Sequence, residues 1–144
     1  MTHSGNPGYG SFLEQKQKHF DRLCRNLSLE AGATESGNGY AIVSAGADNV
    51  RVFFEHERGL CAFAVGAFAD VKPLCGVEEL AARFPRIRVM PEGDQRPDLE
   101  EERQFLEARW SDLQVMFSPD HITETRAWRR AAAAAHMESF SRQK

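Results

Sequence analysis

Apolar positions along this chain follow two different periods. Leu13, Phe20, Leu23, Cys24 and Leu27 recur at helical spacing, and Lys16, Lys18, Asp21, Arg22 and Arg25 take the remaining positions. That pattern predicts an amphipathic N-terminal helix, opened by the capping box Ser11-x-x-Glu14. From Gly32 to Gly39, three glycines with Ser36 and Asn38 predict a loop. The period then shortens. Tyr40-Ala-Ile-Val43 is a short β run, and Ala45 to Asn49 reads as a turn. Val50, Val52 and Phe54 alternate with Arg51, Phe53 and Glu55, the spacing of a strand. Glu57-Arg58-Gly59 turns the chain into a third run, Leu60 to Ala67. These runs predict a three-stranded antiparallel meander.

Helical spacing returns afterwards. Val77, Leu80, Ala81 and Phe84 define a short amphipathic helix stopped by Pro85. Ile87, Val89 and Met90 suggest a short fourth strand before a polar loop, Pro91 to Pro97. Asp98-x-x-Glu101 caps a helix with Leu99, Leu106, Trp110, Leu113 and Phe117 as its stripe. The acids Asp98, Glu100, Glu101 and Glu102 suit the positive end of its dipole and are expected in solvent. Ser118-Pro119 ends that helix and starts a last one, with Pro119 at its first position. This Arg- and Ala-rich segment has few apolar anchors (Ile122, Trp128, Met137 and Phe140) and is expected to fray towards Lys144.

The fold class is therefore α+β, an antiparallel sheet of three to four strands packed with helices. The N-terminal helix comes first, and two helices lie at the C-terminal end. Residues 1–10 read as a flexible tail and 11–144 as a single domain, with 119–144 its C-terminal helix. Phe54, Phe63, Leu80, Trp110 and Leu113 are expected to share the core. The central strands are apolar on both faces, since Val52, Phe54 and Phe63 alternate with Phe53, Ala62 and Ala64. Either helices cover both faces or one face meets a partner, and cover within the chain is the simpler reading.

Composition narrows the classes. With 144 residues, 42% hydrophobic and 27% charged, and with ten Phe and two Trp, the chain can bury a real core. A net charge of −3 disfavours a general nucleic-acid binder. The N-terminal segment lacks an apolar stretch of the secretory kind, and no run approaches a membrane span. Cys24, Cys61 and Cys75 fit neither a disulfide framework nor a zinc ribbon, so reduced thiols in a reducing cytoplasm are the default.

Candidate chemistry is sparse. Glu55-His56-Glu57 places two carboxylates beside an imidazole, but neighbours on a strand point to opposite faces, and a solvated hairpin tip accounts for the trio. Cys75 precedes a helix, where a thiol pKa can fall. The five histidines are dispersed, and no H-E-x-x-H, P-loop, G-x-G-x-x-G or G-x-S-x-G occurs. No catalytic residue, metal site or cofactor is assigned. The basic positions Arg126, Arg129, Arg130, Arg142 and Lys144 read as a solvated helix face.

Tyr40-Ala-Ile-Val43, Val50-Arg-Val52, Glu55-x-x-Arg58-Gly59, Val77-Glu-Glu-Leu80 and the helix holding Leu106, Trp110 and Leu113 give the chain its resemblance to a family. Over about residues 12–118 it resembles the small α+β immunity proteins of bacterial polymorphic toxin systems. The resemblance implies a non-catalytic protein that neutralises a cognate toxin by stoichiometric binding, with neither nucleic acid nor membrane as partner. Glu55, Glu57, Arg58, Glu100 and Glu101 are the candidate partner-binding residues. The alternatives are a dimeric secretion chaperone that binds an effector and, further off, a small enzyme with an unrecognised site.

Overall fold

The computed structural model describes residues 12–37, 39–57, 60–83 and 98–142. The Ser11 cap, the N-terminal tail, Arg58, Gly59, Phe84, Pro85 and the fourth strand expected at Ile87 to Met90 lie outside the described residues. The helices are α1 (Asp21–Leu27), α2 (Val77–Arg83), α3 (Leu99–Ala108), α4 (Trp110–Met116) and α5 (Ile122–Arg142). The strands are β1 (Glu30–Gly37), β2 (Tyr40–Ala47), β3 (Val50–Glu57), β4 (Leu60–Ala67) and the short β5 (Cys75–Gly76). They form one antiparallel sheet in the order β1-β2-β3-β4-β5.

Two elements of this sheet depart from the sequence reading. The segment expected to be a loop from Gly32 to Gly39 is mostly strand β1, exposed along its whole length. It is a strand because it pairs with β2 and not because it buries a face, so no alternation marks it. The expected turn at Ala45 to Asn49 shrinks to Asp48-Asn49, since Ala47 pairs with Val50. Asp48 takes a φ of 55°, the left-handed geometry that two-residue hairpin loops require and Asp tolerates. Gln114 on α4 holds this turn. Its side chain accepts from the Asn49 backbone N–H at 2.9 Å and donates to the Ala47 carbonyl at 3.2 Å.

The helices cover one face. Ala41, Val43, Ala45, Val50, Val52, Phe54, Phe63 and Val65 meet Phe12, Phe20, Leu23, Leu80, Leu106, Leu113 and Phe117 in a single core. Phe54 is the centre of its aromatic cluster, with ring centroids 5.8 Å from Phe12, 5.8 Å from Phe20 and 5.0 Å from Phe63. Leu13, assigned to the helical stripe from sequence, is exposed, and Phe12 is buried in its place. A π-helical turn at Lys16–Phe20 explains the exchange. Its wider pitch re-phases the helix, so that Phe12 lines up with Phe20 eight positions later.

The helix predicted from Asp98 to Phe117 is two helices. They are separated at Arg109, whose φ of −106° and ψ of 14° leave the helical region. Its capping box is formed as the sequence predicts, with Asp98 and Glu101 each accepting from the other's backbone N–H at 2.8 and 3.1 Å. Leu106, Leu113 and Phe117 are buried, whereas Trp110 and Leu99 are only half-buried. The last helix begins at Ile122 rather than Pro119, because the Ser118 carbonyl accepts from both His121 and Ile122 in a preceding turn.

Candidate functional site

Strand geometry puts Arg51, Phe53, Glu55 and Glu57 of β3 on the face opposite the core. The register sets Gly46, Ser44, Ile42 and Tyr40 of β2 beside them on one side, and Gly66, Ala64, Ala62 and Leu60 of β4 on the other. The middle of this face is nevertheless buried, Phe53 at 3%, Ala64 at 4% and Ser44 at 7% exposure, so the chain itself covers it there, as the simpler reading of the sequence expected. The segment after β4 folds over one end. The Phe68 ring lies where a Cβ on Gly46 would come within 2.8 Å of it, and Asp70 caps Gly66. Asp70 accepts from the Ala67 backbone N–H at 2.9 Å and pairs with Arg126 of α5 at 3.2 Å. At the opposite end of the face, Tyr40 is 41% and Leu60 59% exposed.

Two recesses open here. A groove of about 490 Å³ runs between β1–β3 and residues 68–71, lined by Ile42, Ser44, Arg51, Phe53, Phe68 and Val71 among others, with no helical residue among the described residues of its wall. A cleft of about 410 Å³ lies beside β4 and β5, and Glu55, Glu78, Glu79 and Glu102 are in its lining.

The acids of the cleft differ in their commitments. Glu102 is only 2% exposed, and its Oε1 accepts from the Phe63 backbone N–H at 2.9 Å. Sequence reading had placed it in solvent with the other acids of the first turn. It is buried because β5 reaches only as far as Ala64 along β4. The carboxylate of α3 supplies the acceptor that a longer β5 would have provided. Glu79 accepts from the Gly76 backbone N–H at 2.8 Å and pairs with Arg129 at 2.7 Å. Arg126 and Arg129 are therefore docking contacts of α5 and not a purely solvated face.

Glu55 is different. It is half-buried and makes no hydrogen bond or ion pair among the described residues. Burial, and then the charge of Glu57, raise its pKa above the usual carboxylate value of 4.5. Replacing it isolates that cost. Above the raised folded pKa, the ionised carboxylate destabilises the fold, so Glu55→Gln should raise stability at pH 7. Below 4.5 the group is protonated in both folded and unfolded chains, and the gain should vanish. Solvent screening of a half-exposed group bounds the gain at about 1 kcal/mol. Urea unfolding at pH 7 and pH 4 measures both limits.

The thiols and imidazoles offer little reactivity. Burial pushes Cys75 up to about 12, with Glu79 adding to the effect, so the helix that follows does not activate it as its sequence position suggested. Burial likewise raises Cys24, to about 11, and Cys61. His56 does not sit at a solvated tip. It is buried on the core face beside Phe12, opposite in direction to Glu55, and its Nε2 has no partner among the described residues. His19 is also buried, and desolvation, then Lys18, lower its pKa. Among the described residues, no three His, Cys, Asp or Glu side chains converge as metal ligands would.

The sequence candidates fall into two groups. Glu55 and Glu57 share the sheet face opposite the core, next to exposed Tyr40 and Leu60. Glu100 and Glu101 sit at the start of α3 and are engaged within it. Glu100 accepts from Arg103 at 2.8 Å, a contact that holds its carboxyl below the usual range, and Glu101 closes the capping box. The structure brings no contact between the two groups among the described residues. Sequence reasoning missed Glu35, which the register places across β2 from Glu55 through Ile42. It also missed Arg51, whose signal was a lone cation in the apolar run Val50 to Phe54.

No family model, curated protein or solved structure matches this chain. Among the described residues, no helix is long and apolar enough to cross a membrane.

Proposed function

We propose that this chain is a non-catalytic protein-binding module, an immunity protein that neutralises a cognate bacterial toxin by stoichiometric binding. The observation that carries the reading is Glu55. A half-buried carboxylate, repelled by Glu57 and left without a partner among the described residues, lines an open cleft beside β4 and β5. A basic side chain from a partner entering that cleft would offset both burial and repulsion. Tyr40, Ile42 and Leu60 provide apolar contact around the acids Glu35, Glu55 and Glu57. Toxin domains that act on nucleic acid are commonly basic, and an acidic surface steers encounter with them. Arg58, which follows Glu57 in the sequence, and Glu100 and Glu101 on α3 complete the proposed contact set.

Co-expression with the product of the neighbouring gene tests the proposal. Co-purification in equal amounts, with rescue of growth, is the expected result. Glu57→Lys should slow association and flatten its salt dependence, while thermal unfolding stays within about 0.5 kcal/mol of the parent, as for most exposed substitutions. Absence of both complex and rescue would sink the reading. A complex insensitive to Glu57→Lys and Glu101→Lys would keep the partner and move the interface. The exposed apolar pair Tyr40 and Leu60 also favours a second reading, a chaperone that dimerises through the sheet face they share. Sedimentation of the chain alone separates the two, since the immunity reading does not require a dimer.

A further inference from the structure

We propose that the groove beside Arg51 is a binding site for an apolar carboxylate. An aryl or branched alkyl group would rest on Phe53 and Ile42, and its carboxylate would meet the guanidinium. This site lies at the other end of the sheet face from Glu57, and it does not rest on the toxin-binding reading.

Arg51 is held in place by three contacts. Its Nε donates to the Phe68 carbonyl at 2.8 Å, its Nη1 donates to Ser44 Oγ at 3.2 Å, and its guanidinium carbon stacks 4.7 Å from the centre of the Phe68 ring. Gly32 of β1 makes room for it, since a Cβ there would collide with Nη1 and come within 2.7 Å of Ser44 Oγ. None of these partners carries a negative charge. No carboxylate lies within ion-pairing distance of Arg51 among the described residues, and Nη2 keeps its donors. The two acids in the groove lining do not neutralise it. Asp70 has one oxygen on the Ala67 N–H and the other on Arg126. Glu35 stands opposite Ile42, whereas Arg51 stands opposite Gly46. Four residues of strand separate those positions, roughly 13 Å.

A guanidinium fixed in this way loses little freedom when it binds, and its planar fork suits a carboxylate. The floor beside it is apolar. Phe53, only 3% exposed, lies at the bottom of the groove, and Ile42, Phe68 and Val71 continue the apolar lining. The volume, about 490 Å³, lies in the range of small-molecule sites. One end of such a ligand must be apolar and the other anionic. A free carboxylic acid has this chemistry, and so does the last residue of a peptide ending in a large apolar side chain.

The test is titration of the full chain, followed by amide NMR, with 3-phenylpropionate, its neutral amide, and acetyl-Gly-Gly-Phe as free acid and as amide. 3-Phenylpropionate should saturate with a Kd on the order of 1 mM, as expected for a fragment of its size. Shifts should centre on Gly32, Ser44, Phe53 and Val71. The neutral amide should bind about tenfold more weakly or not at all. Arg51→Met should remove the preference for the acid, and Arg51→Lys should keep part of it. Tighter binding of the peptide acid than of 3-phenylpropionate would identify a chain terminus as the natural ligand, and the reverse order a free acid. If Arg51→Met fails to fold, the comparison of acid with amide on the parent chain decides alone. Equal binding of acid and amide, shifts confined to Arg126 and Arg130 of α5, or no saturable binding up to about 20 mM would overturn the proposal.

Discussion

Phe54→Ala should destabilise the protein by about 3–5 kcal/mol, the cost of removing a fully buried aromatic ring and leaving a cavity. Phe54 has no exposed surface and lies within 6 Å of three other phenylalanine rings, so no neighbour can collapse into the space without giving up contacts of its own. Such a loss approaches the whole stability of many domains of this size. Trp110→Ala should cost distinctly less, because Trp110 is only half-buried. Urea denaturation of both variants checks the order. Equal losses would mean that Phe54 is not the centre of the core.

Glu102→Ala should cost at least about 1–3 kcal/mol, the penalty for leaving a buried backbone donor without its acceptor. The donor is the Phe63 N–H, in the part of β4 that β5 does not reach. Glu102→Gln keeps an oxygen in reach of that N–H and should recover much of the loss. The site can also be read directly. Hydrogen exchange at the Phe63 amide should accelerate in the alanine variant and stay slow in the glutamine variant. Unchanged protection in Glu102→Ala would show that the carboxylate is not what satisfies this amide.

These two residues also mark what the sequence could and could not disclose. Phe54 was legible as core because β3 alternates and puts it on one face with the apolar Val50 and Val52. Glu102 was not, since acids in the first turn of a helix are ordinary. Its burial depends on where β5 stops beside β4, whose Phe63 lies 39 residues away in sequence. Strand β1 was illegible for a related reason. It buries neither face, so its only local mark is the Asn38-Gly39 pair, which sits between paired Gly37 and Tyr40 as in a two-residue hairpin. The break at Arg109 carries no proline or glycine to announce it. Of the candidate site, Glu55 and Glu57 were visible as charges, and strand alternation correctly separated Glu55 from His56. The groove and the cleft on the face opposite the core were not visible, because apolar alternation on both sides of a strand does not say which side the helices choose.

The order of strands in the sheet repeats their order in the chain, and that has a consequence for synthesis. Each hairpin can close as soon as its second strand has left the ribosome, without waiting for distant sequence. Much of what roofs the sheet arrives later, since Leu106, Leu113 and Phe117 follow the end of β4 at Ala67 by 39 to 50 residues. Until they emerge, the N-terminal helix, with Phe12 and Phe20 against Phe54, leaves part of the apolar face formed by Val50, Val52, Phe54, Phe63 and Val65 bare on the nascent chain. A chain cut before Leu99 would keep that surface for good, and such a fragment is a substrate for chaperones and proteases and a seed for aggregation.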